Sequence, residues 1–101
     1  MTSKRPRTGG RVVLERLEEA AERARYRVTL YLPDAEHVAE ASIARGERST
    51  EWTAWSPGDP PAWLVAFAQA FLDGVRRDVD RQPAGVTARW PQRLAYWRPA
   101  R

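Results

Sequence analysis

The side chains able to do chemistry are few. His37 is the single histidine, and the 101 residues contain no cysteine. Disulfides, thiolate metal sites and cysteine nucleophiles are thereby excluded. A general base needs a reacting group or partner held beside it, and no nucleophile and no second histidine or cysteine ligand is placed beside His37 in the sequence. It reads as a solvated residue just after a turn. Gly9-Gly10 is too short to cradle a phosphate, lacking the longer glycine pattern and its lysine. Carboxylates are the remaining option, because two of them suffice for a hydrolysis. Glu15, Glu18, Glu19 and Glu22 would share one helix face, and Asp73, Asp78 and Asp80 do so loosely. Both groups lie opposite apolar stripes and read as solvated faces. The expectation is no catalytic residue, no metal ligand and no cofactor: a non-catalytic chain with no evident small-molecule substrate.

Binding chemistry is better represented. Five tryptophans in so short a chain supply large contact areas. Basic residues outnumber acidic ones by 17 to 13, and Lys4 is the only lysine. Residues 1–11 and 81–101 contain basic residues and no acid, whereas all 13 acidic residues lie in residues 12–80. An acidic body thus carries two basic ends. In the C-terminal one, arginines are interleaved with aromatics: Arg89, Trp90, Arg93, Tyr96, Trp97, Arg98 and Arg101. Guanidinium groups contact phosphates and aromatic rings stack on bases. Arg5, Arg7, Arg89, Arg93, Trp97 and Arg98 are therefore the candidate nucleic-acid contacts.

The elements that would position these residues follow from periodicity. Residues 1–10 read as a disordered basic arm. Val13, Leu17, Ala20, Ala21 and Ala24 recur at spacings of three and four, and Glu19 with Arg23 makes a favourable i,i+4 pair. That pattern predicts a helix over 11–25. Tyr26, Val28, Leu30 and Leu32 alternate with Arg27, Thr29 and Tyr31, which predicts a strand ended by Pro33-Asp34. Residues 37–45 are ambiguous between strand and helix and are assigned as a strand from their alternation and bracketing turns. A third strand is expected over 50–56, with Trp52 and Trp55 on opposite faces. Pro57 to Pro61 breaks the chain before a core helix running to about Asp80, with Asp59 as its N-cap. Trp90, Leu94 and Trp97, at i, i+4 and i+7, predict a short C-terminal amphipathic helix. No apolar run approaches the length of a membrane span, no signal peptide is seen, and the absence of cysteine fits a cytoplasmic location.

The expected fold is one α+β domain over 11–101, in α-β-β-β-α order. A small antiparallel three-stranded meander would pack against two helices, with a short C-terminal amphipathic helix. This order is shared with double-stranded-RNA-binding domains, but Pro60-Pro61-Ala62-Trp63-Leu64 replaces their lysine-rich helix start, and no family is assigned. With one sheet face covered by helices, Arg27, Tyr31 and one of Trp52 and Trp55 would lie on the other. Arg27, Tyr31, Trp52 and Trp55 are accordingly the candidate interaction surface. The expected function is protein–protein interaction, with self-association through the sheet face or a strand edge. Nucleic-acid binding through the basic ends is the alternative.

Overall fold

Side-chain alternation, not a three-to-four repeat, governs residues 10–20. The computed structural model describes residues 5–47, 49–83 and 89–99. In it, Gly10–Ala20 is a strand, β1, that turns at Ala21 and Glu22 into a second, β2, Arg23–Tyr31. The helix expected over 11–25 is therefore absent. Val12 and Leu14 face one side of the sheet and Val13 the other, and all three are buried. A helix would have spread these adjacent residues around its axis. Paired with Leu30, Thr29 and Val28, each is buried on a sheet face instead. That gain outweighs the helix propensity of the alanines and glutamates that follow. Those residues lie on the exposed half of the β1–β2 hairpin, beyond a register shift between Arg16 and Glu18.

The remaining elements are β3 (Glu36–Ala44), β4 (Glu51–Trp52), one helix, α1 (Ala62–Asp80), and β5 (Arg93–Arg98). The strands form one antiparallel sheet in the order β4-β3-β2-β1-β5. Two expectations are overturned besides the first helix. Among the described residues the sheet has five strands, not three, and a single helix packs on it. The C-terminal amphipathic helix is instead β5, paired with β1 from Gly10↔Arg98 to Glu15↔Arg93. The third strand is also shorter than expected. Only Glu51 and Trp52 pair as a strand, and Ser56 rejoins β3 through a lone bridge to Val38. The α-β-β-β-α order, and with it the resemblance in element order, does not hold.

The helix over 62–80 and the strands within 26–32 and 37–45 agree with their periodicity. Leu64, Ala68, Leu72, Val75 and Val79 line the buried face of α1. They meet Val12, Leu14, Ala24, Tyr26, Val28, Leu30, Ala41 and Ile43 from the sheet, and Trp90 joins them. Burying a leucine such as Leu72 contributes roughly 1.5–3 kcal/mol. The helix starts three residues after Asp59. Its N-cap position is Pro61, which makes no side-chain cap bond, so the Pro61 carbonyl serves the first turn by accepting from the amides of Leu64 and Val65. A Cβ on Gly10 would fall 2.7 Å from Leu64 Cδ1, so a larger residue there must displace the buried Leu64 side chain.

Candidate interaction surface

Strand register lays out the face that carries no described helix. Three rows run across it. The first is Glu36, Tyr31, Arg11 and Trp97; the second is Val38, Thr29, Val13 and Ala95; the third is Glu40, Arg27, Glu15 and Arg93. Val13 and Thr29 are buried although no described helix or strand lies on them, since long side chains flank them on both sides. The charges of the third row alternate in sign. Beside it, Arg25 bridges Glu18 at 2.6 Å and Glu40 at 3.1 Å, while Arg5 bridges Glu36 at 3.2 Å. Partly exposed pairs of this kind hold side-chain orientation more than they stabilise the fold.

Of the four residues expected on an interaction surface, Arg27 and Tyr31 lie on this face, Arg27 exposed and Tyr31 buried. Trp52 and Trp55 do not. The strand ends at Trp52, so the alternation that would have put Trp55 on the opposite side stops. The two rings meet, with centroids 5.3 Å apart, and both pack partly buried against the core on the helix side. There the Trp52 indole donates to Gln69 Oε1 over 2.7 Å.

The candidate nucleic-acid contacts also divide. Arg93 and Trp97 join Arg27 and Tyr31 on the helix-free face. Arg98 lies on the helix side, its guanidinium 5.0 Å from the centre of the Phe67 ring. The backbone of Arg89 is held by both ends of the Gln82 amide. Arg7 is exposed, and Arg5 is engaged by Glu36. The disordered arm expected over 1–10 falls partly outside the described residues, at 1–4. Among the described residues, Thr8 accepts a bond from the Trp97 indole at 2.7 Å. The two basic ends therefore meet at one edge of the sheet.

That edge differs from the other. On the β4 side, residues 51–56 cover β3. The Thr53 amide donates to Glu40, and Val38 and Ser56 exchange both of their backbone bonds, each at 2.9 Å. On the β5 side, the Arg16 amide donates to the Gln92 carbonyl at 2.8 Å. This fixes the phase of the ladder: 92, 94, 96 and 98 direct their backbone groups at β1, and 93, 95 and 97 direct theirs outward. Among the described residues none bonds those outward groups. Natural edge strands are commonly blunted by a bulge, an inward charge, a lysine or a proline. Between Pro91 and Pro99, β5 has none of these in its Leu94-Ala95-Tyr96-Trp97 centre, and Tyr96 and Trp97 are 52% and 53% exposed.

Beside β5, on the helix side, runs an apolar groove of about 400 Å³ lined chiefly by Phe67, Ala70, Phe71, Gly74, Leu94 and Tyr96. The Tyr96 ring meets Phe71 edge-on, with centroids 4.1 Å apart. Arg11 and Ala95 are not among the contacts expected from the sequence, which names Leu94 and Tyr96 only within the amphipathic, arginine-rich C-terminal segment. The signal was present, because Leu94, Tyr96 and Arg98 alternate with Arg93, Ala95 and Trp97, but the i, i+4, i+7 spacing of Trp90, Leu94 and Trp97 matched a helix equally well. Among the described residues no group of histidine and acidic side chains is arranged to hold a metal, and no helix is long and apolar enough to cross a membrane.

The chain matches no protein-family model, no curated protein and no solved structure.

Proposed function

We propose that this chain is a non-catalytic protein-interaction module that takes an extended polypeptide segment along the outer edge of β5. The observation that supports this reading is the outward row of backbone donors and acceptors at Arg93, Ala95 and Trp97, beside an apolar groove on the helix side. Strand addition draws its affinity from main-chain bonds and its selectivity from sites for alternate side chains. The groove offers such a site on one face of the added strand, and Trp97 offers an aromatic surface on the other. The test is site-specific photo-crosslinking in the cells that make the protein. Tyr96 is replaced by the photo-reactive p-benzoylphenylalanine, and Glu51, at the opposite edge, is replaced in a control. A discrete polypeptide adduct at 96 and none at 51 is expected. The absence of any adduct at 96 would overturn the reading.

A second reading, nucleic-acid binding, draws on the meeting of the two basic ends around Trp97. Single strands would stack on Trp97 and contact Arg11 and Arg93. The alternating charges on the adjoining face weigh against it, since Glu15 stands between Arg27 and Arg93 in the row. Anisotropy of labelled single strands at low salt separates the two. Tight, salt-sensitive binding lost in Arg93→Ala and Trp97→Ala would favour the second reading over the first.

A further inference from the structure

We infer that the polypeptide on the β5 edge is β5 of a second copy of this chain, paired antiparallel about a two-fold axis that passes between Ala95 and the partner's Ala95. This rests on the strand-addition reading above and names its occupant. The argument is one of register. A two-fold normal to the sheet keeps the two faces of each copy aligned and places some residue of β5 opposite itself. Only residues whose backbone groups point outward can exchange bonds, which restricts the bonding set to 93, 95 and 97.

With the axis at Ala95, Ala95 exchanges bonds with the partner's Ala95, and Arg93 with the partner's Trp97. Every outward N–H and C=O of the strand is then satisfied. Moving the axis to Tyr96 puts Arg93 opposite the partner's Pro99, and moving it to Leu94 puts Trp97 opposite the partner's Pro91. A proline has no N–H to give. The two prolines stand symmetrically about Ala95 and penalise both slips.

The side chains agree with the same register. On the helix-free face the Arg93 guanidinium lies across from the partner's Trp97 indole, a favourable cation–π arrangement. No like charges stand directly opposite, and alanine faces alanine at the axis. On the helix side Leu94 lies across from the partner's Tyr96. Both join the groove floored by β5 and walled by Phe67, Ala70, Phe71 and Gly74, where the small Ala70 and Gly74 leave room for them. One continuous sheet results, with the unguarded edge of each copy covered by the other.

The experiment is sedimentation equilibrium of the full chain over the micromolar range, with circular dichroism and urea unfolding as folding controls. The wild type is expected to dimerise. Ala95→Pro should be monomeric yet folded, because the amide it removes does not bond β1. Ala95→Asp and Ala95→Lys should each dimerise at least about tenfold more weakly, since position 95 faces itself. An equimolar mixture of those two variants should recover dimer, because the two charges then meet. If Ala95→Pro fails to fold, the Asp and Lys pair decides alone. A monomeric wild type, or a dimer indifferent to charge at 95 and to mixing, overturns the inference. If a monomeric wild type still yields a foreign polypeptide adduct at position 96, the occupant is wrong and strand addition stands. If it yields no adduct, both fall.

Discussion

The Tyr26 hydroxyl donates to the carbonyl of Pro91 over 2.6 Å, tying the middle of β2 to the residues that lead into β5. Beside it, Arg16 Nη1 donates to the Trp90 carbonyl at 2.8 Å, and Trp90 itself is buried in the core. These contacts set the height at which β5 enters the sheet, and hence which of its backbone groups face outward. Tyr26→Phe removes the donor and leaves a part-buried carbonyl unsatisfied. The expected loss is about 1–2 kcal/mol in urea unfolding, with faster amide exchange in β5 than in β2 or β3.

The same hydroxyl gives a pH dependence. Burial pushes the Tyr26 phenol well above its ordinary value of 10.0, an effect that Arg16 partly opposes. Below that ordinary value both folded and unfolded chains keep the proton, and the stabilisation is complete. Above it the unfolded chain ionises first, so stability falls as the pH climbs toward the folded value. Urea midpoints measured on either side of pH 10 should show this fall in the wild type and a shallower one in Tyr26→Phe.

Two glycines with positive φ separate backbone strain from steric crowding. Gly9, at φ 70°, packs against the Arg98 carbonyl so closely that a Cβ would collide with it, whereas Gly46, at φ 78°, has open space around that position. Gly46→Ala should cost about 1 kcal/mol, the left-handed penalty alone. Gly9→Ala should cost at least about 2 kcal/mol, because the collision is with backbone at the end of the β1–β5 pairing. Thermal unfolding of the two variants side by side measures the difference.

Gln69 joins α1 to the edge of the sheet. Its Oε1 accepts from Trp52, and its Nε2 donates to Thr50 and Asp73. Gln69→Leu strands the indole N–H, for an expected cost of about 1 kcal/mol. The Trp52 indole proton resonance should shift most in the NMR spectrum, while those of Trp63, Trp90 and Trp97 stay in place.

Leu72 is wholly buried at the centre of α1. Leu72→Ala should cost about 2–5 kcal/mol, the range set by how far the site can close over the cavity. Chemical denaturation gives the value directly.

The residues that misled and those that informed differ in a physical way. The helix over 62–80 was legible because nineteen residues repeat one buried face, and no strand pairing competes for them. Residues 26–32 were legible because β-branched and aromatic residues alternate over a full strand. Residues 11–25 carry two signals. Val12-Val13-Leu14 favours a strand, and the glutamates and alanines after it favour a helix. The choice depends on β2 and β5, which lie on either side of β1 and offer pairing that no local window contains. The hairpin tip gave no help, because Ala21-Glu22 lacks the asparagine or glycine that marks a tight turn. Within the candidate surface, Arg27 and Tyr31 could be placed because their strand was legible. Trp55 could not, since its side depended on where pairing with β3 would stop.

The place of β1 between β2 and β5 has a consequence in time. Its pairing with β2 needs only a two-residue turn, so the hairpin can close as soon as both strands leave the ribosome. Its other side must wait until α1 and the residues after it have been made, because β5 follows them in the chain. Through that interval the newly made protein presents β1, with Val12, Val13 and Leu14 at its centre, as a bare edge. Contacts so distant in sequence form slowly, and half-made sheets of this kind are prone to clump. That edge closes only when β5 pairs with β1, next to the residue, Trp90, that is buried in the core.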